Sequence, residues 1–243
     1  NTTFKNPIWV ASGTFGYGTE APDLIDVNTL GAIVTKSITR QPREGNPPPR
    51  IVETPSGMIN SIGLANIGVE KYIKEMLPVY KDFSTKIIMN IAGTDIDEYV
   101  EILELMEKIS TNIAGYEINI SCPNVKKGGM EFGVDSEMTA KLTEELRKRT
   151  DRLIIMKLSP NVSDIVSIGK AAENAGADAV SAINTVVGMS INAKTAKSNI
   201  FTTYGGLSGP AIKPVGLAAV NKLYNKLSIP IIGMGGIISS TDV

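Results

Sequence analysis

Seven short apolar runs, rich in β-branched residues, recur along the chain. They are Ile8-Trp9-Val10-Ala11, Ala32-Ile33-Val34-Thr35, Ile87-Ile88-Met89-Asn90-Ile91 and Tyr116-Glu117-Ile118-Asn119-Ile120, then Leu153-Ile154-Ile155-Met156, Ala179-Val180-Ser181-Ala182-Ile183 and Ile229-Pro230-Ile231-Ile232. Most read as strands buried on both faces, and such strands are parallel. Helical spacing fills most of the gaps. Val69, Tyr72, Ile73 and Met76 share a face, and Pro78 is expected to end or kink that helix. Ile96, Tyr99, Val100, Leu103 and Met106 make a second face. Met138, Leu142 and Leu146 follow a cap at Asp135. Ile165, Ile168, Gly169 and Ala172 follow a cap read at Ser163, and Val220, Leu223 and Leu227 follow Pro214, which suits a first helical turn.

Strands alternating with helices build a parallel α/β sheet. Seven of them without a reversal favour a (β/α)8 TIM barrel over an open sheet, here one domain over residues 1–243. No eighth strand can be read. The end, Ser239-Ser240-Thr241-Asp242-Val243, looks like a helix N-cap, so the last βα unit is expected to lie outside this sequence. Two connections are long. Residues 36–85 include Pro47-Pro48-Pro49 and a hairpin around Pro55-Ser56-Gly57, expected over the barrel mouth. Residues 186–212 are rich in Gly, Ser, Thr and Asn.

Composition narrows the chemistry. Twenty-four basic residues face 25 acidic ones and aromatics are 5%, which argues against nucleic acid as a partner. No run of roughly 18 apolar residues occurs, so no membrane span is expected. The start, NTTFKNP, lacks both the order of a signal peptide and a Met. One Cys fits a reducing, cytoplasmic setting. The absence of His removes His-based nucleophilic chemistry and almost every zinc site, and no metal is expected. Acid–base work near neutral pH then falls to Cys, Lys, Tyr or a tuned carboxylate.

Polar residues gather where the apolar runs end, and in a barrel those ends form the active-site rim. Ser12 follows the first run, Lys36 and Ser37 the second. Asn90 lies near the end of the third, while Asn119, Ser121, Cys122 and Asn124 close the fourth, Lys157 the fifth, and Asn184 and Thr185 follow the sixth. A single such residue is more often a solvated cap, but so many at one rim are harder to dismiss. Gly233-Met234-Gly235-Gly236 and Gly205-Gly206-Leu207-Ser208-Gly209-Pro210 read as Gly-rich turns, together suggesting a phosphate cradle. Cys122 is the best candidate base, with a reference pKa of about 8.5 that falls near Lys. Asn60, Asn119, Asn124 and Asn184 offer paired donors and acceptors, which suits a flat ring such as a pyrimidine.

At these residues the chain resembles the class 1 dihydroorotate dehydrogenases. The resemblance rests on residues 6–18 (NPIWVASGTFGYG), Thr35-Lys36-Ser37, residues 45–51 (GNPPPRI), 60–64 (NSIGL), 119–124 (NISCPN), Lys157-Leu158-Ser159-Pro160, Asn184-Thr185 and 233–237 (GMGGI). It implies an FMN barrel that oxidises (S)-dihydroorotate to orotate in pyrimidine synthesis. Ser12, Lys36, Ser37, Asn90, Asn119, Lys157, Ile183, Gly209, Gly235 and Gly236 would contact FMN. Lys36, Asn60, Ser61, Ile62, Gly63, Leu64, Asn119, Asn124, Asn184 and Thr185 would hold substrate, and Cys122 would be the base. The loop Val125-Lys126-Lys127-Gly128-Gly129 resembles the 1B type. That type pairs its catalytic subunit with a protein carrying FAD and a [2Fe–2S] cluster, which passes electrons to NAD+. One Cys cannot ligate a cluster, so any such centre belongs to the partner. The family suggests a homodimeric core, with a heterotetramer when the partner joins. Two rivals are a dihydropyrimidine dehydrogenase-like FMN subunit and a non-catalytic barrel that binds a phosphate ligand.

Overall fold

A computed structural model describes residues 2–20, 25–109, 111–121, 123–124 and 130–243. The first apolar runs form β1 (Trp9–Val10) and β2 (Ala32–Val34). A hairpin of β3 (Ile51–Thr54) and β4 (Gly57–Asn60) precedes α1 (Val69–Val79). Then β5 (Lys86–Ile91), α2 (Ile96–Glu107) and β6 (Ile113–Asn119) alternate. A short pair, β7 (Pro123–Asn124) and β8 (Met130–Glu131), leads to α3 (Ser136–Arg147), β9 (Leu153–Leu158), α4 (Ile165–Asn174) and β10 (Ala179–Ala182). The second long connection holds β11 (Val186–Gly188), β12 (Ile191–Asn192), β13 (Lys197–Ser198) and β14 (Gly205–Ser208). It ends in α5 (Lys213–Tyr224), followed by β15 (Ile231–Gly233).

Seven strands form one sheet in the order β1-β2-β5-β6-β9-β10-β15. Every pairing in it is parallel. This is the winding of a (β/α)8 barrel, with β1 and β15 as the sheet's two edges. Strand side chains alternate between faces, and the burial shows it. On one face Ile33, Ile87, Met89, Tyr116, Ile118, Ile154, Met156 and Val180 join the core shared with the helices. On the other, Ala32, Val34, Ile88, Ile155 and Ala179 pack together with Trp9 and Ile232, filling the inside of the curved sheet.

Helix starts follow local chemistry. Asp95 accepts from the N–H of Glu98, and Asp135 accepts from those of Glu137 and Met138. Caps of this kind contribute about 1 kcal/mol each. The cap of α4 is Asp164 rather than Ser163: its carboxylate takes the N–H groups of Val166 and Ser167. Pro78 lies in the last turn of α1, which ends one residue further at Val79 and tightens into a 3-10 turn at Tyr80–Asp82. In the last turn, the single hydrogen bond a proline forfeits costs little continuation. Ser239 caps a 3-10 turn at Ser240–Asp242 through a capping box.

The long connections meet. The hairpin strand β4 pairs with β14, and β14 with β11, giving a four-stranded antiparallel sheet ordered β11-β14-β4-β3. Gly205–Ser208 is therefore a strand and not the turn that its glycines suggest. The glycines serve close packing: a Cβ on Gly206 would lie 2.1 Å from Thr185 Oγ1, and one on Gly205 would lie 2.6 Å from the Asn60 carbonyl oxygen.

Candidate functional site

One pleat above the apolar interior layer, the four central strands turn polar. Ile88 is followed two residues on by Asn90, Ile155 by Lys157 and Ala179 by Ser181, all buried. Glu117, 1% exposed, stands opposite Asn90 in the β5–β6 register. Its Oε1 accepts from Asn90 Nδ2 at 2.6 Å and its Oε2 from Ser181 Oγ at 2.7 Å. Lys157 Nζ lies 3.7 Å from Oε1 and donates to Ser12 Oγ at 3.0 Å. Four strands, β5, β6, β9 and β10, and Ser12, two residues past β1, thus converge on one buried charged layer, toward the C-terminal ends of the strands.

A second group sits at the rim. Asn119, the last residue of β6, accepts through Oδ1 from the N–H of Ser121 at 3.3 Å and from Asn184 Nδ2 at 3.4 Å. Asn184 Nδ2 also donates to Ser121 Oγ at 2.8 Å, and Asn184 Oδ1 accepts the N–H of Thr185. From below, Tyr99 Oη donates to the Asn119 carbonyl at 2.7 Å, tying the strand end to α2. Ser121, Asn184 and Thr185 line a cavity of about 210 Å³ together with Asn161, Val187, Tyr204, Gly205 and Gly206. The mouth sheet forms its far wall, and Asn60 Nδ2 reaches the Gly206 carbonyl there at 3.3 Å.

After Asn60 the chain turns sharply. Ser61 donates its N–H to the Arg50 carbonyl, and the Ile62 carbonyl accepts from Asn46. Gly63 and Leu64 both have left-handed backbones, with φ of 73° and 57°. For Leu64 that conformation costs of order 1–3 kcal/mol, which marks the segment as held in place by its surroundings. Lys36 and Ser37 follow β2 half-buried, and the Lys36 N–H is bound to the Gly16 carbonyl.

Three of the predicted glycines come together. A Cβ on Gly236, where φ is 75°, would lie 2.8 Å from the Lys213 nitrogen and 2.9 Å from the Gly209 carbonyl oxygen. One on Gly235 would meet Ile212, and one on Gly209 would lie 2.8 Å from Gly57 Cα. The loop after β15 therefore lies directly on the start of α5, whose N-cap residue Ile212 makes no side-chain capping bond. Ile183 is buried beside it, its N–H bound to the Met234 carbonyl. Backbone N–H groups at a helix start, with no side chain between them and a ligand, suit an anion.

The structure thus gathers Ser12, Asn90 and Lys157 in one layer, Asn119, Asn184 and Thr185 at the rim, and Ile183, Gly209, Gly235 and Gly236 in the cradle. Cys122 lies outside the described residues, as do Val125, Lys126, Lys127, Gly128 and Gly129. Asn124 is placed only as backbone, paired with Met130 in β7–β8. Three residues escaped the sequence reading: Glu117, Ser181 and Asn161. Glu117 and Ser181 did leave a signal, since each is the polar residue at an inward position of an otherwise apolar strand. Asn161 holds the cavity wall by donating to the Thr185 carbonyl and accepting from Val187 N–H, and a loop Asn carries no such signal.

A flavin implied by the resemblance can be tested against these residues. Asn90 Oδ1 is buried with no hydrogen-bond partner, an acceptor available to an imide N–H. Lys157 supplies a cation, and the glycine cradle suits a phosphate. The residues fit FMN.

Fold and site together define a parallel α/β barrel with a polar, charge-bearing mouth. Comparison with known proteins makes the class specific. The family model described as dihydroorotate dehydrogenase matches residues 1–243, and the chain belongs to that family. It is 52% identical over 237 residues to the catalytic subunit of dihydroorotate dehydrogenase B (NAD(+)) of Desulforamulus reducens, covering 98% of this chain and 78% of that one. The protein of the same name from Porphyromonas gingivalis is 49% identical over 240 residues, covering 99% and 78%. Among solved structures, the Eimeria tenella enzyme in complex with ferulenol superposes with a TM-score of 0.78 at 21% identity, covering 99% of this chain and 72% of that one. That likeness concerns the fold.

Proposed function

We propose that this chain is the catalytic barrel of a class 1B dihydroorotate dehydrogenase, oxidising (S)-dihydroorotate to orotate. The observation that carries the reading is the stacking of two layers. The buried Lys157–Glu117–Asn90 group lies immediately inside a rim of amide side chains, Asn119, Asn184 and Asn60. Relatives about half identical in sequence and named as NAD(+)-linked catalytic subunits support it.

In this reading bound FMN supplies a hydride acceptor. The chain's residues do the rest. Ser12, Lys36, Ser37, Asn90, Asn119, Lys157 and Ile183 would hold the flavin, with Gly209, Gly235 and Gly236 suited to its phosphate. Asn60, Asn119, Asn124, Asn184 and Thr185 hold the pyrimidine ring flat through paired donors and acceptors, and Ser61, Ile62, Gly63 and Leu64 hold substrate beside them. Lys36 pairs with the substrate carboxylate. Cys122, as thiolate, takes the C5 proton while hydride leaves C6, so one C–H bond breaks to the base and one to the acceptor. A partner subunit carrying FAD and [2Fe–2S] would supply the route for electrons to NAD+. Residues 1–243 belong to a single barrel domain, which pairs as a homodimer, forms a heterotetramer with that partner, and works in the cytoplasm.

The test is Cys122→Ala in the holoenzyme. Flavin stays bound by its visible absorbance, and its anaerobic reduction by dihydroorotate slows by at least about 100-fold. Reduction at the normal rate would overturn the assignment, and faster reduction by dihydrouracil than by dihydroorotate would overturn the substrate.

A further inference from the structure

Among the described residues, Glu117 is the only buried acid and Lys157 the only buried base. Stability alone does not explain them. One pleat lower the same strands carry Ile88, Ile155 and Ala179, and buried ion pairs seldom stabilise more than well-packed apolar groups of equal volume. The bonding pattern says more. A carboxylate can only accept, so Asn90 must present its NH2 to Oε1, at 2.6 Å, and its own Oδ1 is left as a buried acceptor without a partner. The same Oε1 faces Lys157 Nζ at 3.7 Å, while Ser12 holds that ammonium from the other side at 3.0 Å. Ser181 fixes the carboxylate itself, through Oε2 at 2.7 Å.

We propose that Glu117 is a positioning residue for the flavin: it sets the amide orientation of Asn90, holds the Lys157 ammonium, and offsets part of that charge. The inference rests on the flavin reading of the site. Reduced flavin carries more negative charge than oxidised flavin, so an unopposed Lys157 would favour the reduced form. Glu117 tempers that preference and keeps the bound flavin able to pass its electrons on.

The experiment measures the midpoint potential of flavin in the holoenzyme and in Glu117→Gln, Lys157→Met and the double variant. Glu117→Gln keeps size and removes charge. It should bind flavin with the reduced-over-oxidised affinity ratio raised about tenfold, equivalent to about 30 mV for a two-electron couple. Lys157→Met should shift the potential the other way, and the double variant should return close to the wild-type value. A merely structural Glu117 would weaken binding of both flavin forms equally. An unchanged potential in flavin-loaded Glu117→Gln therefore overturns the proposal. If Glu117→Gln alone does not fold, the double variant must fold, because the unpaired buried cation is gone. A double variant that also fails to fold overturns it. Wild-type protein that takes up no flavin would overturn the reading of the site itself, and this inference with it.

Discussion

Ser181→Ala isolates a single contact in the buried layer. The residue is fully buried on β10, and its hydroxyl donates to Glu117 Oε2 at 2.7 Å. Alanine keeps the backbone and Cβ, so the change removes one oxygen and little packing. A hydrogen bond to a charged acceptor is worth about 1.5–3 kcal/mol, and the carboxylate oxygen left behind cannot reach bulk water. The expected loss is about 2 kcal/mol, a fall in Tm of about 4–8 °C for a chain of this length. Urea unfolding of the apoprotein, followed by circular dichroism, reads it directly. The control is the same substitution in Glu117→Gln, where the acceptor is neutral and the loss should roughly halve. A loss below about 0.5 kcal/mol, or equal losses in both backgrounds, would refute the picture of a carboxylate held by Ser181.

Two further outcomes follow from the loop after β15. Gly236→Ala places a Cβ 2.8 Å from the Lys213 backbone nitrogen at a left-handed position, so the loop must shift off α5. FMN affinity, read by fluorescence titration, should fall at least about tenfold if this cradle holds the phosphate, and unchanged affinity would exclude it. The Lys213 ammonium, 2.7 Å from Asp242, holds that carboxyl well below the usual carboxylate range, helped by the N–H of Ile238. A depressed folded value means the contribution is complete above about pH 4 and is lost as pH falls further. Asp242→Asn should be less stable than the parent at neutral pH and lose that acid-dependent component, and superimposable acid-unfolding curves would contradict it.

Much of this architecture was readable in the chain because strands and helices here obey simple periods. Ile87 to Ile91 and Leu153 to Met156 are runs that can only be buried on both faces, and β5 and β9 cover them. Asp135 followed by Met138, Leu142 and Leu146 fixes the start of α3. What failed were choices between near-equivalent local partners. Ser163 and Asp164 are both good caps, and only the geometry of the turn selects the carboxylate. Gly205-Gly206 has the composition of a turn, yet tertiary pairing with β4 and β11 makes it a strand. The site divides the same way. Residues at strand ends are predictable because a barrel puts those ends at one rim. Glu117 and Ser181 lie inside the strands, where polarity is visible in the sequence but the partner across the barrel is not.

The mouth sheet has a consequence for how such a protein comes into being. Asn60 meets Gly206 across a sequence separation of 146 residues, so β3 and β4 wait for β14, which follows β10 in the chain, before the four-stranded sheet can form. On a ribosome, the barrel wall can assemble strand by strand as the chain emerges, but the four-stranded sheet stays incomplete until β14 has been made. An N-terminal fragment ending before β14 would carry β3 and β4 without the strand that completes their sheet.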